Sequence, residues 1–260
     1  MHGFCRIDLG FRDIVGEFLG LRQVLGEVAS MAVTKEIKLA PSILSADVTR
    51  LGECVEEAVD SGADYIHVDV MDGHYVPNLT FGPLVVRAIR AITAVPIDVH
   101  LMVREPEKFL PWFADAGADI LTVHAEAATD LRDIVDRIKC LGVGAGVAIN
   151  PGTPTNVIEP LLSELELVLL MTVNPGFPGQ QFVPSVISKI QRVRYLLDTK
   201  GAKAQLEVDG GINKETIPGV VVAGATVLVA GSAVFDSKLG VKGAIKELLQ
   251  CVEASKGASG

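Results

Sequence analysis

From Lys38 onward the sequence repeats one pattern eight times: a short apolar run with strand character is followed by a stretch with helical character. Strands that alternate with helices are typical of parallel sheets. The nearly continuous apolar runs indicate strands that are buried on both faces. Eight such units in about 220 residues are the size of one (β/α)8 barrel. The sequence therefore predicts an α/β protein that folds as a single-domain TIM barrel.

The predicted strands span residues 38–44, 64–70, 96–103, 119–124, 145–150, 165–173, 204–209 and 226–230. The predicted helices span residues 48–60, 83–92, 106–116, 131–141, 156–163, 184–199, 214–223 and 241–254. An open, doubly wound sheet is the alternative, but it favours a Gly-x-Gly-x-x-Gly turn after the first strand. The first strand ends instead in Pro41-Ser-Ile-Leu-Ser45, and the glycine-rich run 142–146 precedes a strand, as a tight turn does.

The second predicted strand, in the stretch Tyr65-Ile-His-Val-Asp-Val-Met-Asp-Gly73, carries polar residues that a plain core strand lacks. Side chains alternate between the two faces of a strand, so His67, Asp69 and Met71 share one face. An imidazole and a carboxylate in this arrangement can chelate a divalent metal ion. The alternative is that the two side chains only hydrogen-bond to each other.

Two further polar residues stand at strand ends that the barrel brings to the same rim. His100 lies on the third predicted strand and Asp209 ends the seventh. Active sites of such barrels are built at the carboxyl ends of the strands. His67, Asp69, His100 and Asp209 together form a mixed nitrogen and oxygen donor set that suits one Zn, Fe, Mn or Co ion.

A pair of carboxylates beside one metal ion indicates proton abstraction next to a carbonyl group. The ion would hold the carbonyl and hydroxyl oxygens and stabilise an enediolate. One of Asp69 and Asp209 would remove the proton from one face, and the other would return it on the opposite face. This chemistry inverts a carbon centre.

Other residues at the same strand ends indicate how a substrate could be held. Met71, Met102 and Met171 could pack around the reactive centre, or could simply fill the upper core layer. Glycine-bearing turns follow the last three strands, at 174–180, at Gly210 and Gly211, and at Gly231. Barrels commonly bind phosphate near strands seven and eight through backbone amides. The alternative is that these glycines serve only the turns.

Composition limits the possible partners. The 260 residues carry a formal net charge of −9, which argues against a nucleic-acid partner because no basic patch is present. No apolar run reaches the roughly 18 residues that span a bilayer. The four cysteines, Cys5, Cys54, Cys140 and Cys251, are widely spaced and form no CxxC pair. We interpret them as reduced thiols of a cytosolic protein.

The predicted domain organisation is an extension at 1–35, a barrel at 36–255 and a tail at 256–260. The extension mixes arginines with acidic residues, so it fits neither a transit peptide nor a secretory signal well. Met31 begins a segment that resembles a natural start, and an amphipathic N-terminal helix is the alternative. We expect a cytoplasmic protein, or a plastid one if the extension is a transit peptide.

Five segments together resemble the ribulose-phosphate 3-epimerase family, and the resemblance covers residues 37–250. They are Ala40-Pro-Ser-Ile-Leu-Ser45, His67-Val-Asp-Val-Met-Asp-Gly-His-Tyr-Val-Pro-Asn78, Asp98-Val-His-Leu-Met102, Met171-Thr-Val-Asn-Pro-Gly-Phe177 and Glu207-Val-Asp-Gly-Gly-Ile212. The resemblance implies interconversion of D-ribulose 5-phosphate and D-xylulose 5-phosphate in the pentose phosphate pathway, and in the Calvin cycle of a photosynthetic source. It also implies a homo-oligomer, either a dimer or a hexamer.

The resemblance implies that His67, Asp69, His100 and Asp209 are the metal ligands. It also implies that Asp69 and Asp209 are the catalytic acid and base. The predicted substrate-binding residues are Ser42, His67, Met71, His100, Met102, Met171, Gly176, Phe177, Gly179, Asp209, Gly210, Gly211, Gly231 and Ser232. His74 and His124 receive no direct role, and we interpret them as structural or as supports of the ligands.

The sequence departs from the family pattern at Pro178, where the family usually has glycine. Proline has no N–H group, so one potential phosphate donor is missing there. Three alternatives to the main function stay open. One is an epimerase of D-allulose 6-phosphate, which would use the same chemistry. The others are an inactive barrel that only binds a sugar phosphate or a protein, and a metal-free phosphate-binding barrel of amino-acid biosynthesis.

Overall fold

The computed structural model describes residues 36–177 and 179–257. The predicted extension at 1–35, the substitution at Pro178 and the end of the predicted tail, 258–260, therefore lie outside the described residues, as does Cys5. Within the described residues, Cys54, Cys140 and Cys251 are free thiols. No helix of the described segments is long and apolar enough to cross a membrane.

Eight parallel strands form a closed barrel, as the sequence predicts. They are β1 (Lys38–Pro41), β2 (Ile66–Met71), β3 (Ile97–Met102), β4 (Ile120–His124), β5 (Gly144–Ile149), β6 (Leu167–Met171), β7 (Gln205–Asp209) and β8 (Val227–Ala230). From β2 to β8 each strand pairs with the next one in the chain, and β8 pairs with β1. The last gap closes through a parallel bridge between Ser42 and His67 and through the backbone N–H of Asp64, which donates to the Leu39 carbonyl at 2.9 Å.

Helices surround the barrel. The described segments contain α1 (Leu51–Asp60), α2 (Pro83–Arg90), α3 (Leu110–Ala116), α4 (Leu131–Cys140), α5 (Val186–Thr199), α6 (Ile217–Val222), α7 (Ser232–Phe235) and α8 (Gly240–Gly257). Capping and first-turn residues determine where several of these helices begin. The Asp130 side chain accepts from the N–H groups of Arg132 and Asp133 and so caps α4. Pro83 occupies the first turn of α2, where its missing N–H is tolerated.

The structure corrects three of the sequence predictions. Residues 156–163 do not form a helix, because only the single 3-10 turn Thr155–Val157 and irregular turns occur there. Pro160 lacks the N–H that an α-helix would need in that segment. The first strand ends at Pro41 rather than at residue 44, since Ser42 accepts a hydrogen bond from the Leu44 N–H and begins a 3-10 turn. The short helix α7 was not predicted.

Side chains alternate between the two faces of each strand, so the sheet separates a hydrophobic core outside the barrel from one inside it. Outward side chains such as Val68, Val99 and Val168 pack with the helices in one large cluster. Inward side chains of β5, β6 and β8 form a second cluster inside the barrel, including Leu169 and Val229. The inward positions of β2, β3 and β7 are instead polar. This exchange of aliphatic for polar side chains creates the candidate site.

Candidate active site

Strands β2, β3 and β7 bring the four predicted metal ligands together. Donor atoms of His67, Asp69, His100 and Asp209 all lie within 4.8 Å of one another. Asp69 and His100 are direct partners in the register of β2 and β3, so alternation alone places their side chains side by side. His67 and His100 are fully buried, while the Asp209 side chain keeps 15% exposure. The arrangement leaves one side of the cluster open toward a cavity.

His67 is held by a carboxylate on the neighbouring strand. Its Nδ1 lies 2.6 Å from an Asp98 carboxylate oxygen, which can only accept, so Nδ1 carries the proton of this bond. Its Nε2 is buried and has no hydrogen-bond partner among the described residues. The same Nε2 lies 3.4 Å from Asp69 Oδ1. A neutral His67 therefore directs an unshared electron pair into the cluster.

His100 presents its other nitrogen to the cluster. Its Nδ1 lies 3.1 Å from Asp69 Oδ1 and 3.9 Å from Asp209 Oδ2. On the opposite side of the ring, Nε2 contacts Nε2 of His124 at 2.8 Å. Burial lowers the pKa of His100 to about 4. Its imidazole is therefore neutral near pH 7.

The two aspartates have opposite electrostatic environments. Burial disfavours the charge of Asp69, but His67 and His100 outweigh burial and lower the pKa of this carboxyl below its usual range. Its Oδ2 also accepts a 2.6 Å hydrogen bond from the Ser42 hydroxyl. Burial, together with the charge of Asp69, raises the pKa of Asp209 to about 7. One carboxyl is therefore stabilised as the anion and the other is close to taking up a proton.

The donor set fits a divalent cation. Electron pairs of His67 Nε2 and Asp69 Oδ1 converge, and like acceptors at such distances repel unless a positive charge lies between them. In the metal-free protein a proton on His67 can supply part of this positive charge. Burial lowers the pKa of His67, but the charges of Asp69 and Asp98 outweigh burial and raise this pKa well above its usual value. Two imidazole nitrogens and two carboxylates are ligands that Zn, Fe, Mn and Co accept.

Above the cluster lies a cavity of about 460 Å³ that opens at the carboxyl ends of the strands. Most predicted substrate-binding residues line it, namely Ser42, Met71, Met102, Met171, Gly176, Phe177, Gly179, Asp209, Gly210, Gly211, Gly231 and Ser232. Asp69 also lines it, whereas the rings of His67 and His100 lie below its floor with no exposed surface. The three methionines therefore belong to the cavity wall as well as to the core.

Backbone rather than cationic side chains forms the cavity wall near the last strands. None of the described residues that line the cavity is a lysine or an arginine. Gly211 has a φ of +66°, and a Cβ atom there would lie 2.7 Å from the backbone nitrogen of Phe182. This close approach requires glycine and brings two backbone segments together at the rim. An anion bound here would meet peptide N–H groups.

Two loops meet across the mouth of the cavity. The Asn78 side-chain amide, in the segment after β2, donates to the Gly176 carbonyl in the segment after β6 at 2.8 Å. Within the second segment, the Gln180 side chain donates to the carbonyls of Asn174 and Phe177. Phe177 itself is 54% exposed. These bonds fix part of the rim against the β2 side of the barrel.

Sequence reasoning overlooked several polar residues around the ligands. Asp98 and Glu207 lie two residues before His100 and Asp209 on the same strand faces and are fully buried. The Glu207 oxygens have no hydrogen-bond partner among the described residues. Burial and the charge of Asp98 raise the pKa of Glu207 well above its usual value. The two-residue periodicity that revealed the ligands could have revealed both of these acids.

The two histidines without an assigned role have different surroundings. His74 is exposed in the turn after β2 and contacts the backbone oxygen of Asp72. His124 is fully buried at the end of β4 and touches both His100 and Glu126. Cavity-lining residues such as Gln181, Phe182 and Asn213 carry no pattern in the sequence that marks them, since loop geometry alone places them there.

Comparison with known proteins agrees with this geometry. The sequence model described as "Ribulose-phosphate 3 epimerase family" matches residues 38–235. Ribulose-phosphate 3-epimerase of Bacillus subtilis strain 168 is 58% identical over 200 residues, covering 76% of this chain and 92% of the relative. The Arabidopsis thaliana protein named "Ribulose-5-phosphate-3-epimerase, chloroplastic" is 51% identical over 205 residues, covering 78% of this chain and 73% of the relative.

A solved structure of 3-hexulose-6-phosphate synthase has the same fold. Its TM-score is 0.62 at 20% identity, with 83% of this chain and 100% of that chain covered. At this identity the likeness concerns the fold alone. The family match extends over residues 38–235 and so includes all four residues of the donor set, and the two relatives each cover more than three quarters of the chain. The chain therefore belongs to the ribulose-phosphate 3-epimerase family of enzymes.

Proposed function

We propose that this chain interconverts D-ribulose 5-phosphate and D-xylulose 5-phosphate by inverting the configuration at C3. The observation that carries the proposal is the position of two carboxylates, Asp69 and Asp209, beside two imidazoles at the floor of an open cavity. The names of the close relatives support the choice of a pentose phosphate as substrate.

A divalent ion is part of this proposal, with Zn, Fe, Mn or Co as candidates. Nε2 of His67, Nδ1 of His100 and the carboxylates of Asp69 and Asp209 would hold it. When bound, such an ion stabilises negative charge that develops on the substrate oxygens next to the reacting carbon. The buried hydrogen bond from His67 to Asp98 keeps one ligand ring oriented before the ion arrives.

The two aspartates divide the proton transfers. Asp69, ionised and hydrogen-bonded by Ser42, is suited to remove the C3 proton of one epimer. Asp209, whose pKa is raised to about 7, is suited to deliver a proton from the opposite face of the enediolate. In the reverse direction the two carboxyls exchange roles. The apolar side chains of Met71, Met102 and Met171 surround this region and limit the access of water.

The phosphate group is assigned to the turns after β6, β7 and β8. Gly176, Gly179, Gly210, Gly211 and Gly231 line that part of the cavity. Peptide N–H groups bind phosphate well in such turns, and they need no lysine or arginine. Pro178 would supply no N–H to this set.

The assembly and the location remain proposals that rest on the family. We propose a homo-oligomer, a dimer or a hexamer, which sedimentation of the purified protein would measure. We also propose a cytoplasmic location, or a plastid one if the segment 1–35 directs import. A fusion of that segment to a fluorescent protein would distinguish these two compartments.

The test of the proposed function is a paired assay. The purified protein is analysed for bound divalent metal and then assayed with D-ribulose 5-phosphate and D-allulose 6-phosphate under identical conditions. We expect about one metal ion per chain, strong preference for the five-carbon substrate, and solvent deuterium at C3 of the product. Preference for the six-carbon substrate would replace the substrate and keep the mechanism. No turnover of either substrate would refute the proposal.

A further inference from the structure

The segment 72–79, which follows β2, forms a strap across one half of the barrel mouth. An antiparallel bridge between Asp72 and Leu79 joins the two ends of the strap. The described residues that line the cavity include none from 103–170, the part of the chain that carries β4 and β5, so the cavity opens at the other half of the mouth. The strap contacts the carboxyl ends of four successive strands, at Arg104 after β3, at His124 in β4, at Asn150 after β5 and at Gly176 after β6.

The strap also packs against two parts of the cavity wall. Val76 is buried in one cluster with Met71 and Met102, two of the methionines that line the cavity. A Cβ atom at Gly176 would lie 3.5 Å from Val76 Cβ and 3.9 Å from Pro77 Cδ, so the strap also touches the turn after β6. A displacement of the strap would therefore disturb both the methionine wall and this turn.

The carboxylate of Asp72 accepts hydrogen bonds from two segments of the chain. Its Oδ1 accepts from the backbone N–H groups of His74 and Tyr75, at 2.8 and 3.0 Å, and so shapes the first turn of the strap. Its Oδ2 accepts from the backbone N–H of Arg104 at 2.8 Å and so joins the strap to the segment after β3. Burial disfavours the charge of Asp72, but these three N–H groups outweigh burial and lower its pKa. Asp72 is therefore ionised near pH 7 and can only accept.

The segment on the other side of this bond has an unfavourable backbone conformation. Glu105, which follows Arg104, has a φ of +58° and is the only non-glycine residue with a positive φ in the part of the chain that the structure describes. Such a conformation is costly for a residue with a side chain and persists where neighbouring contacts hold it. The bond from Arg104 to Asp72 is a contact of this kind. It therefore fixes the segment after β3 and the strap together.

We propose that Asp72 is a positioning residue, which holds the strap across the mouth and, through the strap, the turn after β6 that is assigned to the phosphate group. The inference deepens the proposed function and rests on it for the role of that turn. Asp72 itself is not among the residues that line the cavity, so its effect has to pass through the strap. Asn78 carries the effect across, because its amide donates to the Gly176 carbonyl at 2.8 Å.

The sharpest variant is Asp72→Asn, because it keeps the size of the side chain and changes one hydrogen-bond partner. The amide oxygen must stay at the Oδ1 position, since the N–H groups of His74 and Tyr75 both need an acceptor there. The amide NH2 group then faces the backbone N–H of Arg104, and two donors cannot form a hydrogen bond. The variant therefore keeps the first turn of the strap and loses the link to the segment after β3.

Two further variants complete the design. Asp130→Asn is the matched control, because Asp130 Oδ1 accepts from the N–H groups of Arg132 and Asp133, at 3.1 Å each, and both bonds lie within one segment. An amide oxygen can keep both of them. The double variant Asp72→Asn with Asn78→Ala tests whether the two residues act through the same link.

The experiment combines one measurement without substrate and one with it. Hydrogen–deuterium exchange of the substrate-free protein reports local opening of the backbone. We expect faster exchange in 73–79 and in 174–177 for Asp72→Asn, and parental exchange there for Asp130→Asn. In steady-state kinetics with D-ribulose 5-phosphate, we expect KM to rise about tenfold in Asp72→Asn with kcat within about threefold, because the reacting carboxylates are untouched. The double variant should have a KM within about twofold of Asp72→Asn alone, since coupled residues are not additive.

Three results would overturn the inference. They are unchanged exchange in 174–177 for Asp72→Asn, an unchanged KM in that variant, and a KM in the double variant equal to the product of the two single effects. A purely structural role would lower the free energy of unfolding and leave KM as it is. If exchange responds as expected but the parent does not turn over a pentose phosphate, the proposed function fails while the positioning of the turn by Asp72 stands.

Discussion

The interior of the barrel has two contrasting regions built on the same strand alternation. On β5, β6 and β8 the inward side chains are aliphatic and include Leu167, Leu169 and Val229. On β2, β3 and β7 the inward positions hold acids and imidazoles, namely His67, Asp69, Asp98, His100, Glu207 and Asp209. Both regions are buried inside the same barrel. The difference shows that the barrel contributes stability from one wall and chemistry from the other.

The aliphatic region also determines how strongly the polar region interacts. An apolar wall excludes water, so charges near it interact strongly and the cost of leaving one unpaired is high. The opposite pKa shifts of Asp69 and Asp209 are a consequence of this setting. Without a cation, the negative charge of the carboxylates in this cluster is only partly balanced, whereas the apolar wall carries no charge that needs a partner. Four experiments, with five substitutions, test this contrast.

The largest effect is expected from removing either carboxylate of the polar region. Asp69→Asn and Asp209→Asn keep the size of the side chain but lose the proton-transfer group and a metal ligand. We expect turnover of D-ribulose 5-phosphate to fall by about 10³-fold or more in each, with the fold retained. Steady-state kinetics and circular dichroism measure the two effects.

Asp133→Asn, on the exposed side of α4, is the matched control for the aspartate variants and should keep parental turnover. Full activity in either Asp69→Asn or Asp209→Asn would disprove the two-carboxylate mechanism. A loss of activity accompanied by unfolding would instead show that the polar region stabilises the barrel as much as the aliphatic region does, which would remove the contrast.

The second effect concerns the aliphatic region. Leu169 is fully buried on β6 inside the barrel, so Leu169→Ala leaves a cavity. We expect the free energy of unfolding to fall by about 3 kcal/mol, within the range of 2–5 for such substitutions. Urea denaturation measures it. Leu239→Ala, at a 59% exposed leucine, should cost well under 1 kcal/mol. Equal costs at the two leucines would contradict the proposed role of the apolar wall.

The third prediction tests the contrast through the pH dependence of the free energy of unfolding. The pKa of Glu207 is raised in the folded protein, first by burial and then by Asp98, so its contribution to stability is present below about pH 4.5 and is lost as the pH rises toward the folded pKa. Each proton retained only by the folded state lowers the free energy of unfolding by about 1.4 kcal/mol per pH unit. Glu207→Gln cannot titrate. We therefore expect a shallower decline of stability above about pH 4.5 in the metal-free variant.

Urea denaturation of the metal-free protein at several pH values measures this decline. Glu166→Gln, at an exposed glutamate just before β6, should leave the slope unchanged. An identical slope in the parent and in Glu207→Gln would mean that Glu207 is ionised in the folded state. Its charge would then be compensated by the imidazolium of His67, whose Nδ1 lies 3.7 Å from Glu207 Oε1.

Strand positions were predictable from the sequence because both regions of the interior follow the two-residue period. The same period placed His67 beside Asp69, and the shared barrel rim brought His100 and Asp209 to them. Helices were less predictable where prolines interrupt them. The segment 156–163 has helical composition, but Pro160 cannot donate the backbone hydrogen bond, and the chain forms turns.

The supporting residues of the site were harder to predict, because their roles depend on contacts between distant segments. His124 and Glu126 lie 24 and 26 positions after His100 in the chain, and only the pairing of β3 with β4 brings them near it. Glu207 belongs to a motif that resembles the family, yet a motif does not show that its carboxyl oxygens have no hydrogen-bond partner among the described residues. Asn78 shows the same limit most clearly, since its partner Gly176 is 98 positions away.

The smallest effect is expected at this link, which connects the two regions across the mouth. Asn78 follows β2 of the polar region, and Gly176 follows β6 of the aliphatic region. Asn78→Ala removes a hydrogen bond worth about 1 kcal/mol and loosens the rim that lies over the phosphate turns. We expect KM for D-ribulose 5-phosphate to rise about fivefold with kcat within twofold, because the reacting carboxylates are untouched. Asn156→Ala, at an exposed asparagine after β5, should leave both constants unchanged. A fall in kcat without a change in KM would mean that the link positions the proton-transfer groups rather than the phosphate, and the two regions would then act as one unit during catalysis.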